Sequence, residues 1–292
     1  MTARLKFGIA GWSYDDWRGV VYPRNCRDTL RFCAEYVDLI EINNTFYRFP
    51  VAAHCASWVR RVEGLSTEFS AKIPGDFTHR LVRDAGAAQQ VVEGFAPLAE
   101  SGRLLALLAQ FSYRFEWSER NLDHLAWLRE SFGSVAPLVV EVRHKSWASA
   151  EGLAELRELS VAVADLDYPG AESGFSAPPT GCHGPEGIAY FRLHGRNEKA
   201  WFDKDAGRDE TYDYEYGSSE IEQLGERAGE LGTHAASILV VANNHFEGKA
   251  MKTALELAAR HLQAKVAVPQ ALLEHYPDLR RIAKRQQEGL FD

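Results

Sequence analysis

The chain has 292 residues, of which 46% are hydrophobic, and carries a formal net charge of -8 at pH 7. This length is enough for one large core of the barrel type or for two smaller cores. The negative charge argues against broad, non-specific contact with duplex DNA, because that mode of binding neutralises many phosphates with lysine and arginine.

Strand-like runs alternate with helical patterns along the chain. The strands are predicted at Leu5–Ala10, Leu39–Asn43, Glu68–Lys72, Leu104–Gln110, Leu138–Arg143, Val161–Asp165, Ile188–His194 and Ile238–Asn243. The helices are predicted at Thr29–Tyr36, Val51–Val62, Ala85–Leu98, Leu122–Phe132, Glu151–Leu159, Ser218–Leu231 and Ala250–Lys265. Such alternation indicates a parallel sheet, and eight units favour closure into an α/β fold, a (β/α)8 barrel of the TIM type. An open doubly wound sheet is the alternative.

We expect one barrel domain over residues 1–265, because no linker interrupts the alternation. Residues 266–292 are then a helical C-terminal extension that ends in a flexible tail. The four cysteines form no Cys-x-x-Cys pair, which is typical of a reducing compartment. Since no apolar run approaches the roughly 20 residues of a membrane span, we expect a soluble, cytoplasmic protein without a membrane partner.

The downstream ends of the predicted strands carry ionisable and amide residues, which are costly in an apolar strand unless they are paired or used. Side chains of a strand alternate between the two faces of the sheet, and the carboxyl ends of barrel strands meet at one rim. The residues predicted to face the lumen at this rim are Glu41, Asn43, Lys72, Gln110, Glu141, Arg143, Asp165, Arg192, His194 and Asn243. The pattern therefore predicts one shared site.

Several of these residues lie in motifs that resemble a known family. The motifs are Gly11-Trp12-Ser13-Tyr14 with Trp17-Arg18-Gly19 and Tyr22-Pro23, Glu41-Ile42-Asn43-Asn44-Thr45-Phe46-Tyr47, Lys72 with Thr78-His79, Glu141-Val142-Arg143-His144 with Trp147, Arg192-Leu193-His194-Gly195-Arg196, and Asn243-Asn244-His245. In this order they resemble the YecE-like family, the domain of unknown function numbered 72, from about Leu5 to Leu257. The resemblance implies a TIM-type barrel and no known reaction. One departure is Phe111-Ser112-Tyr113, where the family usually has Pro-Pro after the glutamine of the fourth strand.

Three carboxylates and one histidine are candidate catalytic residues. Glu41, Glu141 and Asp165 suit general acid and base roles if their surroundings separate their pKa values. His194 suits proton transfer, because the ordinary pKa of histidine is closest to neutrality. The alternative is that each carboxylate is only a salt-bridge partner of a nearby cation.

Lys72, Arg143 and Arg192, joined by Arg196, predict a cationic pocket for a phosphate or carboxylate group. Internal pairing of these cations with the three carboxylates is the alternative interpretation. The further substrate-binding candidates are Trp12, Asn43, Gln110 and Asn243. Aromatic residues on rim loops, Trp12 among them, suit stacking on a base or a sugar, although packing of the loops over the barrel mouth explains them equally.

We predict no cofactor, because the chain has neither a Gly-x-Gly-x-x-Gly nor a Walker sequence. A divalent metal stays open as an alternative, since His144, His194 and His245 accompany carboxylates at the strand ends. Apurinic-site endonuclease and sugar-isomerase barrels use similar groups. No His-Glu-x-x-His spacing supports a metal site here.

The C-terminal segment Gln287-x-x-Leu290-Phe291 resembles the short peptide with which bacterial DNA-processing proteins bind the sliding clamp. A flexible end that presents an amide and two apolar anchors suits a groove on a partner. In the alternative, the tail folds back and Phe291 covers an apolar patch.

These observations favour an enzyme, a hydrolase or lyase, that acts on an anionic small molecule or nucleic acid at the barrel mouth, in a role linked to DNA processing. The competing hypothesis is a non-catalytic module that binds a nucleotide or peptide and is recruited through its tail. Fold alone decides neither.

Overall fold

Parallel strands close into a barrel in the order in which they occur in the chain, and the last strand pairs with the first. The computed structural model describes residues 3–170, 181–233 and 235–284. The strands are β1 (Arg4–Ala10), β2 (Leu39–Ile42), β3 (Glu68–Lys72), β4 (Leu104–Gln110), β5 (Leu138–Glu141), β6 (Ala162–Asp167), β7 (Ile188–Leu193) and β8 (Ser237–Ala242). The predicted barrel is confirmed, and the open sheet is excluded.

Helices connect the strands on the outside of the barrel. They are α1 (Thr29–Ala34), α2 (Ala52–Arg61), α3 (Gly75–Thr78), α4 (Ala85–Glu100), α5 (Glu119–Phe132), α6 (Ala150–Glu158), α7 (Glu198–Trp201), α8 (Arg208–Thr211), α9 (Ser218–Leu231), α10 (Lys249–Leu262) and α11 (Gln270–His275). The predicted helices agree within a few residues. The short helices α7 and α8 lie in the loop after β7, for which the sequence predicted only a long loop.

Side-chain caps mark the first turns of several helices. Asp28 accepts a hydrogen bond from the backbone N–H of Arg31 before α1, and Asp84 does the same for Ala87 before α4. Such caps satisfy N–H groups that have no partner inside the helix. The predicted cap at Asp28 is therefore present.

The lower part of the lumen is filled with apolar side chains, so the barrel is a packed core and not a channel. The filling residues include Leu39, Leu108, Val139, Leu166 and Leu239. A larger apolar cluster lies between the barrel and its helices. Buried polar side chains gather at the carboxyl end of the strands, while at the amino end Lys6 of β1 pairs with Glu68 of β3.

Strand β6 differs from the prediction in which of its residues face the lumen. Ala164 pairs with Tyr190 and Leu166 pairs with Arg192, and both β6 residues belong to the lumen cluster. Asp165 therefore faces the helices, and its predicted place in the lumen was wrong. The prediction assumed that ionisable residues at a strand end face the lumen, whereas in β6 Asp165 and Asp167 lie on the face toward the helices and the apolar residues fill the lumen. On that outer face Asp167 pairs with Arg196.

The C-terminal extension packs on the barrel as far as the structure describes it. Leu272, Tyr276 and Leu279 are buried in the main apolar cluster, and the Tyr276 hydroxyl donates to the carbonyl of Glu247 at 2.9 Å. The docking residues predicted in the tail, Gln287, Leu290 and Phe291, lie outside the described residues. Within the described parts of the chain, no helix combines the length and the apolarity needed to cross a membrane.

Candidate functional site at the carboxyl end of the barrel

A fully buried arginine holds two carboxylates together in the barrel mouth. The guanidinium of Arg192 on β7 donates from Nη2 to Glu41 Oε1 at 2.7 Å and from Nε to Glu41 Oε2 at 3.0 Å. Its Nη1 donates to Oε2 of Glu141 on β5. These three side chains come together because the carboxyl ends of their strands lie at one rim of the barrel. Bidentate contact of this kind fixes both charge and orientation.

Glu141 carries further donors. Its Oε1 accepts from Nη2 of Arg143 at 2.6 Å and from the amide of Gln110 at 2.7 Å. Burial raises the pKa of this carboxyl, but the charges of Arg192 and Arg143 outweigh burial and hold the pKa well below its usual range. Glu141 is therefore ionised, as the salt-bridge interpretation predicted.

Glu41 is held in the same way from the other side. The hydroxyl of Tyr190 donates to Glu41 Oε2 at 2.9 Å and lies 2.7 Å from the hydroxyl of Ser70. Arg192, Glu41, Glu141, Arg143, Gln110 and Tyr190 are called the Arg192 network below. In this network every carboxylate oxygen accepts at least one hydrogen bond.

His194 lies beside the network and is buried. The amide nitrogen of Asn243 lies 3.0 Å from His194 Nδ1. Arg192 Nη1 lies 3.4 Å from the other ring nitrogen, Nε2, so both nitrogens of the ring face groups that donate hydrogen bonds, which disfavours the charged ring. Burial and the charge of Arg192 lower the pKa of His194 well below its ordinary value. The rings of Trp201 and Tyr212 cover it at centroid distances of 5.7 and 6.0 Å.

A cavity of about 500 Å³ opens next to the network, and it is called the Lys72 cavity below. Its aromatic lining consists of Trp12, Tyr14, Tyr47, Trp58 and Tyr212. Its polar lining includes Asn43, Lys72, Asn243, His245 and Arg61. A concave site with apolar walls and a few convergent polar groups is the usual form of a small-molecule site.

Lys72 joins the cavity to the network. Its Nζ donates to Gln110 Oε1 at 2.9 Å, and no carboxylate lies within ion-pair distance of it among the residues described. Burial, followed by the nearby charge of Arg192, lowers the pKa of Lys72 to about 8. The amine is therefore much closer to neutrality than an ordinary lysine.

The comparisons with known proteins agree with the motifs. The family model described as "Protein of unknown function DUF72" matches residues 6–276. The chain belongs to the DUF72 family. The UPF0759 protein YunF of Bacillus subtilis (strain 168) is 24% identical over 270 residues, which are 84% of this chain and 90% of that protein.

Two solved structures of DUF72 proteins are similar to this chain. The protein from Thermotoga maritima MSB8 is 30% identical, with a TM-score of 0.78 over 89% of this chain and 99% of the other. The protein from Enterococcus faecalis V583 is 25% identical, with a TM-score of 0.77 over 91% of this chain and 98% of the other. The resemblance predicted from the motifs is confirmed. The family description names no reaction.

In this DUF72 chain, most of the predicted site residues meet at the mouth. Glu41, Glu141, Lys72, Gln110, Arg143, Arg192 and His194 lie in or beside the Arg192 network, and Trp12, Asn43 and Asn243 line the cavity. Arg196 does not join them. It contacts Asp167 at 2.8 Å and Glu220 at 3.0 Å. The predicted place of Arg196 in the cationic pocket was wrong, because the chain leaves β7 at Leu193 and the alternation of the strand ends there.

The loop that departs from the usual family pattern contributes to the site. Tyr113 lies 5.3 Å from the guanidinium carbon of Arg143, and its hydroxyl accepts a hydrogen bond from Trp201 Nε1 at 2.8 Å. Sequence reasoning missed Trp58, and it considered Trp201 and Tyr212 only as aromatic residues of a rim loop, without a place in the site. These residues lie on α2 and in the loop after β7, where no strand alternation indicates orientation. Among the described residues, no three His, Cys, Asp or Glu side chains form a group that could hold a metal ion.

Proposed function

We propose that this DUF72 protein is an enzyme, a lyase or hydrolase, that binds an organic anion in the Lys72 cavity. The observation that carries the proposal is Lys72 itself, a partly buried cation on the cavity wall with no carboxylate partner among the described residues. Around it, the three cations Lys72, Arg143 and Arg192 face the two carboxylates Glu41 and Glu141. The excess positive charge favours a substrate with a phosphate or carboxylate group.

The cavity walls support a substrate that also has an organic part of some size. Trp12 and Trp58 contact each other edge to face at 5.6 Å, and Tyr14 stacks on His245 at 4.6 Å. Such rings present apolar faces to a sugar or a base. The side-chain amides of Asn43 and Asn243 add both hydrogen-bond donors and hydrogen-bond acceptors to the cavity.

We assign proton transfer to His194 and a positioning role to Glu41 and Glu141. His194 is neutral and joins the cavity lining through Asn243. The two glutamates are occupied by arginine donors and orient the positive charges instead of exchanging protons. Asp165, which faces away from the lumen, has no role in this proposal.

All oxygens of Glu41 and Glu141 already accept hydrogen bonds. This favours the second candidate, a non-catalytic module that binds an anionic nucleotide or peptide end. In that case the network would hold the cations for binding alone. The role in DNA processing and the clamp-binding tail remain predictions from the sequence.

Calorimetric titration with phosphoglycolate, a small molecule with a phosphate and a carboxylate, tests the proposal. We expect the Lys72→Met variant to bind at least about tenfold more weakly, or by about 1.4 kcal/mol, because the unpaired cation is lost. The matched control is Lys265→Met, which removes the same charge from an exposed position outside the site. Equal affinity of both variants and the parent protein would refute anion binding by Lys72.

Turnover separates the two candidates. If the protein is an enzyme, we expect it to form product from phosphorylated sugars. The His194→Gln variant should lose this product formation while it still binds phosphoglycolate. Binding that is tight in both proteins, with no product from either, supports the module.

A further inference from the structure

Lys72, which is partly buried, differs from the buried lysines of the described chain in what its amine contacts. Lys6 pairs with Glu68, Lys249 with Asp213 at 2.6 Å, and Lys252 with Asp278 and with Glu215 at 3.0 Å. Lys72 instead donates to the neutral oxygen of Gln110. A buried ammonium without a carboxylate is costly to keep charged.

Gln110 explains how this arrangement persists beside two glutamates. Its amide nitrogen donates to Glu141 at 2.7 Å while its oxygen accepts from Lys72 at 2.9 Å. The amide therefore stands between the ammonium and the carboxylate. Arg143 donates to the same oxygen of Glu141 as Gln110 does, and Arg192 donates to the other oxygen. Lys72 is therefore left with the dipole of the Gln110 amide as its partner instead of a charge.

Lys72 also has open space beside its amine. It lines the 500 Å³ cavity together with Asn43, whose buried side-chain oxygen has no hydrogen-bond partner within the described residues. A reacting group in the cavity therefore meets an amine and an unsatisfied acceptor. Lysines that are desolvated and close to another cation are the ones that react as nucleophiles.

We propose that the amine of Lys72 forms an imine with an aldehyde or ketone that carries a phosphate or carboxylate group. This inference rests on the proposed function, because the anionic group is what brings the carbonyl into the cavity. It narrows the substrate class to carbonyl compounds. It also narrows the chemistry to steps in which a proton or a carbon substituent leaves the carbon next to the former carbonyl carbon, because the protonated imine accepts the electron pair that is left behind.

The step balances without an oxidant or a metal. The lysine ammonium first loses one proton, and the free electron pair on nitrogen forms a bond to the carbonyl carbon. The carbonyl oxygen takes up that proton and a second one from nitrogen and leaves as water. The nitrogen keeps one hydrogen and the positive charge, so one ammonium and one carbonyl give one protonated imine and one water.

The lowered pKa supports the first of these events. With a pKa of about 8, roughly one Lys72 in ten is neutral at pH 7, whereas a lysine with the ordinary value of 10.5 is almost fully protonated. The neutral fraction rises as the pH approaches 8. Imine formation should therefore accelerate between pH 7 and pH 9.

Reductive trapping tests the inference in the full chain. The protein is incubated with glycolaldehyde phosphate, the imine is reduced with sodium borohydride, and peptides are mapped by mass spectrometry. We expect an adduct on Lys72 that forms at least tenfold faster than on any other lysine. Phosphoglycolate, which has the anionic groups but no reactive carbonyl, should slow it by competition.

Two variants serve as controls. Lys72→Arg keeps the positive charge but has no amine, and it should lose the adduct while phosphoglycolate binding changes little. Lys252→Arg, which changes an ion-paired buried lysine, should react like the parent protein. Labelling spread evenly over exposed lysines, or none on Lys72, overturns the imine. If phosphoglycolate still binds in that case, anion binding survives; if phosphoglycolate does not bind either, both proposals fall.

Discussion

The two halves of the barrel mouth use buried charge in opposite ways. In the Arg192 network, each carboxylate oxygen of Glu41 and Glu141 accepts a hydrogen bond, and the arginines are paired. On the cavity side, Lys72 has an amide as its partner, and Asn43 has a buried oxygen without a hydrogen bond within the described residues. We call the Arg192 network the saturated half, because its carboxylate oxygens all accept hydrogen bonds. We call the cavity side the open half, because Lys72 has no carboxylate partner among the described residues and Asn43 has an oxygen without a hydrogen bond among them.

This difference between the two halves indicates which of them carries the reactive groups. A buried ion pair is weak evidence for net stabilisation, yet removal of one partner leaves a costly charge behind. A group left without a partner already lowers stability in the folded state, and such local conflicts cluster at functional sites. We therefore infer that the network supports the site and that the Lys72 cavity performs its function. Three substitutions test this contrast.

The largest effect should come from Arg192→Met. The substitution leaves Glu41 and Glu141 buried without their shared cation, and we expect a loss of about 3–5 kcal/mol in the free energy of unfolding. Urea denaturation followed by circular dichroism measures it. Arg260→Met, at an exposed arginine with surface partners, should cost less than about 1 kcal/mol. A loss in Arg192→Met no larger than in this control would show that the network is not saturated as described.

The sequence predicted side-chain orientation well where the two-residue alternation of a β-strand applied. Alternation along β5 and β7 predicted that Glu141 and Arg143 share a face and that Arg192 and His194 do so, and the structure agrees. Convergence of these groups followed from the barrel, because parallel strands end at one rim. The prediction for Asp165 failed because β6 places its aspartates on the face toward the helices and its apolar residues in the lumen.

The pairing within the site was not predictable. Lys72, Arg143 and Arg192 were equally plausible partners for Glu41 and Glu141 from the sequence, and only the distances between strands decide among them. The distinction between a saturated half and an open half depends on that choice. The same holds for Trp58 and Trp201, which reach the mouth from a helix and a loop with no periodic signal.

A smaller loss should follow from Tyr190→Phe in the network. The variant removes the hydroxyl that donates to Glu41 but keeps the ring, so a buried carboxylate loses one donor at a cost of about 2 kcal/mol. The same denaturation assay applies. Tyr212→Phe changes a tyrosine of the cavity lining by the same single atom and should stay within about 0.5 kcal/mol of the parent protein. Similar effects in the two variants would remove the contrast between the halves.

The smallest effect should have the opposite sign. Lys72→Met removes a cation that the folded state disfavours, and we expect the protein to gain about 1–2 kcal/mol at pH 7 while it loses anion binding. The folded pKa of Lys72 is about 8 and its ordinary value is 10.5, so the unfolded chain binds more protons between these pH values. The contribution of Lys72 to the stability of the parent protein therefore rises with pH from about 8 to 10.5, and this rise is absent in Lys72→Met. The difference between the two unfolding free energies, measured at pH 7 and at pH 10, should shrink at the higher pH. If Lys72→Met is instead less stable than the parent at pH 7, Lys72 has a stabilising partner, and the open half of the mouth is as saturated as the network.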